Sequence, residues 1–370
     1  MSTSIRRLAQ LAEVSPSTAS RVMRGHGDVD AETRRKVLAL ARKHNIPLPA
    51  MPAQETPNLL KSLCSMVNIH RDESPSDQGF YHRLLKGLTQ GAADCNAELL
   101  NIEQPPNIPI DVWMTEWPLA VNRRQVDGAV LVMGDELAPH PPFPAPIPTV
   151  FIFSGPPQAD VVTVANFDGG RLLGEHLAEL GHRRVAYIGS RSGMSLERLA
   201  GLRTALELHK GTVPPELTSI PPREGSREYV ALRLDALGMT QKAGDPGPDG
   251  FTALMCYNDY MAAAAIMHLR KHGVRVPEDV SVVGFDNVRP GWYEGPALTT
   301  VMMPLEEIGA EAARFLYWRL THPNAPPRRL VLAAPFVAGE TTLNAPTEGS
   351  HRRLEPVSPE DGSPVGEWNP

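Results

Sequence analysis

The sequence predicts a small all-α head followed by a larger α/β body of two doubly wound, parallel-sheet lobes. Three observations lead there. Capped helical segments fill the first fifty residues, short apolar runs alternate with helical stretches from Leu63 onward, and charge divides unevenly between the two parts. Residues 1–50 hold nine Lys/Arg against four Asp/Glu, a surplus of five, whereas the 370-residue chain carries −6, leaving −11 for the rest. A basic head on an acidic body suits a protein that docks one end onto phosphate and keeps the remainder off it.

In the head, Ser4 suits an N-cap, and Ile5, Leu8, Ala9, Leu11 and Ala12 then fall at helical spacing. Glu13-Val14 makes a turn. Ser15 can cap a second helix with Pro16 in its first position, where a missing N–H costs nothing, and Ala19, Val22 and Met23 face inward. Pro16, Ser17, Ser20, Arg21 and Arg24 are left outward. Gly25-His26-Gly27 breaks that helix, Asp30 can cap a third, and Val37, Leu38, Leu40 and Ala41 close a three-helix core. Such a helix-turn-helix unit at residues 1–46, with a basic outer face, is shaped to enter a DNA groove.

Residues 47–61 carry prolines at 47, 49, 52 and 57 and read as a linker. Beyond it, strands are expected at Ser62 to Ile69, Ala97 to Ile102, Gly128 to Met133 and Thr149 to Phe153. A second set follows at Val161 to Val164, Val185 to Gly189, Ala253 to Cys256, Val280 to Phe285 and Thr300 to Met303. Helical or loop sequence between them implies parallel βαβ units. The tail, 346–370, is rich in Pro, Glu and Ser without apolar periodicity and is expected to be disordered; it has no leucine heptads for a tetramer bundle.

Composition narrows the function. Hydrophobic content of 42% supports substantial cores, and no run approaches the length of a membrane span. No signal-peptide pattern opens the chain, so a cytoplasmic location is expected. Cys64, Cys95 and Cys256 lack CxxC spacing and read as buried thiols, and the twelve histidines are dispersed, so no metal is expected. HExxH, GxGxxG, Walker and GxSxG motifs are missing, and Gly189-Ser190-Arg191-Ser192-Gly193 has arginine where a nucleophile elbow needs serine. The expectation is a protein that is no enzyme and needs no cofactor.

Three stretches of the head, Ile5-Arg6-Arg7-Leu8-Ala9, Val14-Ser15-Pro16-Ser17-Thr18-Ala19-Ser20-Arg21-Val22 and Thr33-Arg34-Arg35-Lys36-Val37, together resemble the DNA-binding head of the LacI/GalR family of bacterial transcription regulators. Body phrases are similar too: Gly181-His182-Arg183-Arg184-Val185-Ala186-Tyr187-Ile188-Gly189, Arg198-Leu199-Ala200-Gly201, Asn258-Asp259-Tyr260-Met261-Ala262 and Val276-Pro277-Glu278-Asp279-Val280-Ser281. The resemblance implies a periplasmic-binding-protein-like body at 62–345 with three crossings between lobes. Lobe 1 is then expected at about 62–164 and 299–321, and lobe 2 at about 165–298 and 328–345. It also implies that Pro16, Ser17 and Arg21 read bases, Arg21 through a bidentate guanine contact, while Thr18, Ser20 and Arg24 rest on phosphates. The partners implied are a pseudopalindromic operator, a sugar-like effector and a second copy of the chain in a homodimer. The prolines depart from the family's hinge helix, so its minor-groove leucine is not transferred to Leu48, Leu59 or Leu60.

Ligands of open α/β sheets bind beyond the carboxyl ends of strands. Asn258 and Asp286 each follow a strand immediately, and Arg198 is expected to start a helix after the Tyr187-to-Gly189 strand. The family uses matching positions to hold sugar hydroxyls, and Arg, Asp and Asn supply the donors and acceptors that vicinal diols need. Phe80 is a candidate apolar wall, with Tyr81, Phe153 and Trp292 behind it. Each has a plainer alternative: Asn258 and Asp259 as helix caps, Arg198 as a surface residue, Asp286 as a turn, Phe80 as core. Two departures from the family stand out, Ala165 before Asn166 where an acid is frequent, and Gly339 where an arginine is common. A glycine-bearing turn after a strand could hold phosphate, which leaves a phosphorylated sugar open.

Overall fold

The computed structural model describes residues 3–23, 29, 33, 36–37, 40–41, 60–68, 77–102, 117–133, 143–220, 227–245, 247 and 249–346. Arg24, the Asp30 cap, residues 47–59 of the linker and 347–370 of the tail lie outside them. The chain divides into two units, Met1–Leu59 and Leu60–Pro370. Among the described residues, no helix is long and apolar enough to cross a membrane.

In the first unit α1 spans Thr3–Ala12 and α2 spans Pro16–Met23. Helix α1 therefore starts one residue before Ser4, which lies inside the first turn rather than capping it. It ends in a Schellman turn: Val14 N–H donates to the Ala9 carbonyl at 3.0 Å and Glu13 N–H to Gln10 at 3.2 Å. Glu13 takes the left-handed conformation this requires, with φ 58°. The Ser15 hydroxyl accepts from Thr18 N–H at 3.0 Å and caps α2, with Pro16 first in the helix. Leu8, Ala12, Val22, Val37 and Ala41 form the core, the last two being helical residues, as are Thr33, Lys36 and Leu40.

The second unit holds two parallel sheets. One has the order β11-β5-β4-β3-β1-β2, formed by Arg329–Leu332, Asp160–Val164, Thr149–Ile152, Gly128–Met133, Ser62–Asn68 and Glu98–Ile102. The other runs β7-β6-β8-β9, formed by Thr218–Ser219, Val185–Ile188, Ala253–Cys256 and Ser281–Val283. Strands β3, β4 and β5 are buried along their whole length, because layers cover both faces of the sheet. In β3 the alternation is visible: Val130 and Val132 join one core, while Ala129, Leu131 and Met133 join another on the opposite face.

The helices that matter for the site are α3 (Asp77–Asp94), α4 (Asn166–Glu179), α5 (Gly193–Leu208), α6 (Arg227–Ala236), α7 (Asp259–Lys271) and α8 (Leu305–Thr321). The chain crosses between the lobes after β5, after β10 (Thr300–Val301), and between β11 and β12 (Phe336–Val337). These crossings correct the expected boundaries. Thr299 and Thr300 stay with lobe 2, since Thr299 bridges Val283 and the Thr300 hydroxyl donates to Asp259 at 2.7 Å; only α8 returns to lobe 1. Conversely, β11 lies in lobe 1, although 328–345 was expected in lobe 2. Asp160 on β5 explains it: its carboxylate takes both Arg319 Nε at 2.5 Å and Arg319 NH2 at 2.8 Å, and the Arg328 N–H at 2.9 Å, which seats β11 beside β5.

Helices α4 and α5 meet backbone to backbone. A Cβ at Gly170 would overlap the Arg198 carbonyl, and one at Gly201 would overlap the Phe167 carbonyl. Main chain cannot yield as a flexible side chain does, so Gly201→Ala should destabilise the body by about 1–3 kcal/mol. Urea denaturation measures it, and an unchanged midpoint would mean that the two helices part easily.

All three cysteines are free thiols. Burial pushes the Cys64 thiol up to about 12 and raises Cys256 further, so neither is a nucleophile near neutrality.

Candidate functional site

On α2, Pro16, Ser17 and Arg21 are exposed. Thr18 is half-buried with its hydroxyl 2.8 Å from that of the capping Ser15. Ser20, read from the sequence as outward, is 5% exposed. It follows the buried Ala19 on the flank of the apolar stripe. Arg6 and Arg7 on α1 are exposed as well, which adds to the basic surface of this unit.

In the body the organising group is Arg198, which is 1% exposed rather than on the surface. It stands in the second turn of α5, whose N-terminus is capped by the Ser192 side chain accepting from Ser195 N–H. Its Nε donates to Asn166 Oδ1 at 2.9 Å and its NH1 to the Tyr257 carbonyl at 2.7 Å. NH1 is also 3.4 Å from Asp286 Oδ1, and NH2 lies 3.6 Å from the Met303 sulfur. The guanidinium packs over the rings of Phe285 and Tyr257, 3.6 and 4.6 Å from their centroids. The structure thus unites Arg198 with Asp286 and with Asn166, which opens α4 directly after β5.

Asn258 takes its plainer role at least in part: its side chain accepts from Met261 N–H at 2.9 Å and caps α7. Its neighbour Asp259, set aside in the sequence as a possible cap, is 2% exposed and braces the far side of the site. Its carboxylate accepts from Val288 N–H at 2.9 Å and from the Thr300 hydroxyl. Burial, then the nearby Asp286, push its carboxyl well above the usual carboxylate range.

Two candidate residues carry backbone strain. Asp286 has φ 107° and Phe153 has φ 72°, values that side-chain-bearing residues seldom adopt. At Phe153, Ser154 N–H donates to the Ile152 carbonyl at 3.0 Å, which makes a γ-turn of the strained hand at the end of β4. Asp286 is held by N–H donation to Val301 at 2.8 Å and by its own carbonyl accepting from Met303 at 3.2 Å. Strain of this kind, about 1–3 kcal/mol each, persists where the surroundings over-determine it and gathers at binding sites.

Phe80 sits on α3 in lobe 1, half-buried, its ring 5.2 Å from Tyr81 and 5.7 Å from Phe153. A Cβ on the adjacent Gly79 would lie 3.9 Å from Val288, so the start of α3 faces the segment that follows Asp286. Trp292, further along that segment, packs edge-on to Tyr260 at 5.2 Å and lies under the Arg227 guanidinium at 4.8 Å. Its buried Nε1 has no hydrogen-bond partner among the described residues.

The turn after β6 satisfies itself. Ser195 Oγ accepts from Ser190 N–H at 2.9 Å, and the Ser190 hydroxyl donates to Ser192 at 3.0 Å, all three serines being buried. An anion would have to displace those bonds, which weakens the phosphate reading. Gly339 has a steric reason: a Cβ there would overlap the backbone of Ala297 and Leu298.

Comparison with known proteins adds to this geometry. The family model for bacterial regulatory proteins of the lacI family matches residues 4–46, and that for a periplasmic binding protein-like domain matches residues 175–342. The HTH-type transcriptional regulator DegA of Bacillus subtilis (strain 168) is 29% identical over 335 residues, 85% of this chain and 90% of that protein. The HTH-type transcriptional repressor PurR of Mannheimia succiniciproducens is 28% identical over 337 residues, 87% of this chain and 93% of that protein. A solved complex of the transcriptional regulator CelR with cellobiose superposes with a TM-score of 0.61 at 25% identity, covering 91% of this chain and 99% of that one.

Proposed function

The chain belongs to the lacI family of bacterial regulatory proteins, and from that premise we propose a repressor whose hold on a pseudopalindromic operator is set by a sugar-like effector bound between its lobes. One observation carries the effector half of this reading. Arg198 bonds to Asn166, just past the first crossing, and touches Met303, at the second. A ligand that engages this guanidinium acts directly on the segments about which the lobes would close.

The donor set suits hydroxyls. NH2 of Arg198 meets only a thioether sulfur among its described partners, a weak acceptor that a hydroxyl readily replaces. Asp286 supplies the matching acceptor, and Phe80 with Phe153 an aromatic wall for the apolar face of a pyranose. The similarity to a regulator in complex with cellobiose favours a sugar over other polyols. Closing the lobes shifts the population between two body states, and operator affinity changes by the ratio of the effector's affinities for them. Two copies on a two-fold axis would place two heads on the half-sites.

Gel shifts of the full chain on its operator, with a panel of mono- and disaccharides, test this. Release by a sugar identifies an inducer and tightening a corepressor. No change with any sugar would favour a small-molecule binder with little control over DNA. Asp286→Asn should remove the response and leave effector-free binding within about twofold, a factor worth less than 0.5 kcal/mol. On α2, Arg21→Ala should cost about 1–3 kcal/mol at the operator and blunt base preference. Equal loss on random DNA would reduce Arg21 to a phosphate contact.

A further inference from the structure

The dispersed histidines of the sequence do not all stay dispersed. His268 and His272 stand four apart at the end of α7, so their rings share one helix face, 4.4 Å between centroids. Asp235, in the last turn of α6, meets them from the neighbouring helix, with His268 Nε2 2.7 Å from its Oδ1. One ligand atom from each of the three lies within 4.8 Å of the others.

We propose that Asp235, His268 and His272 form a binding site for a borderline divalent transition-metal ion of the zinc type. Two imidazoles and a carboxylate on adjacent helices are the donor set such ions select over magnesium or calcium, which prefer oxygen alone. The site is also oriented from behind. His272 Nδ1 is 2.9 Å from the His268 carbonyl, which can only accept; the ring therefore carries its proton on Nδ1 and leaves the Nε2 lone pair for a metal. His268 is 10% exposed at its side chain and Asp235 is 52% exposed, so the ion enters from solvent and keeps a position open to water.

Ligand atoms around a zinc ion stand closer together than the present spread, since each bond is roughly 2.0–2.2 Å. Binding would replace the His268 Nε2–Asp235 hydrogen bond, with that nitrogen giving up its proton, and Asp235 and His272 would turn to bring the three ligand atoms around the ion. His272 follows α7 and Asn258 precedes it, so the helix separates them by roughly 20 Å at 1.5 Å per residue. The ion would thus lie away from the effector residues and would tie α6 to α7 in lobe 2 without touching the sugar.

The test uses the full chain with its affinity tag removed, stripped with chelator and titrated with Zn2+ by calorimetry. The expected result is one saturable equivalent that raises the melting temperature. It should be lost in His268→Gln and His272→Gln and weakened at least about tenfold in Asp235→Asn, each variant keeping its circular dichroism spectrum. Zinc uptake unchanged in either histidine variant would overturn the site, as would an Asp235→Asn affinity equal to that of the parent. Co2+ substitution gives a second readout, since a four-coordinate site shows intense visible bands that a loosely bound surface ion does not.

Discussion

Arg198→Met should destabilise the body by about 3–5 kcal/mol, the range for removing one member of a buried ion pair. The arginine is 1% exposed, and its loss takes the guanidinium away from the Asp286 carboxylate, the Tyr257 carbonyl and Asn166 Oδ1 at once. Methionine replaces the stem and its packing on Phe285 but none of the donors. Arg198→Lys should recover only part of the loss, because one ammonium cannot reach Asn166 and Tyr257 together as the guanidinium fork does. Urea denaturation with an unchanged slope measures the effect. A double variant with Asp286→Asn should lose less than the sum of the two single changes. A loss under about 1 kcal/mol, the scale of an exposed ion pair, would contradict a buried hub.

Acid should cost the second lobe about 3 kcal/mol between pH 6.5 and 4 through His182 alone. This ring is 1% exposed and joins three segments: Nδ1 is 2.8 Å from the Thr252 hydroxyl, and Nε2 is 3.0 Å from both Ser281 Oγ and the Leu343 carbonyl. A carbonyl only accepts, so Nε2 carries the proton and Nδ1 accepts from Thr252. Burial lowers the imidazole from 6.5 to about 4, with smaller contributions from His176 and Arg183, while the Leu343 carbonyl opposes the shift. The unfolded chain therefore takes up a proton below pH 6.5 that the native state refuses until about pH 4. Stability is full above that window, falls through it, and is flat beneath. Asp259, whose carboxyl is raised, works in the opposite direction, so the diagnostic is a difference. His182→Gln should flatten the dependence over this window relative to the parent chain. Equal slopes would show that the ring is protonated in the native state.

Much of the fold was legible because it is written in short-range patterns. The Ser15-Pro16 start of α2, the inward Ala19 and Val22, and the apolar runs of β1, β3 and β4 each lie within a few residues of one another. Ser20 failed because a helical wheel places a flank residue without knowing how far its side chain reaches. At the site, the rule that ligand groups follow strands led to Asn258 and Asp286 and pointed at Asn166. It could not tell that Asn258 spends its carbonyl on a cap, nor that Asp259 would be the buried brace. A polar residue one place into a helix looks the same in sequence whether it caps, braces or binds.

The sequence by itself determined a basic helix-turn-helix head, an α/β body of two parallel-sheet lobes and the resemblance to the lacI family of regulatory proteins. These follow from caps, periodicity and motifs, whose information is local. Tertiary structure alone decided that β11 joins lobe 1 through Asp160 and that Arg198 is a buried hub linked to Asn166, Asp286 and Met303. It alone brought His268 and His272 against Asp235. Each of those pairings joins residues dozens to more than a hundred positions apart, and the crossings and burial that create them exist only once both lobes have closed around their cores.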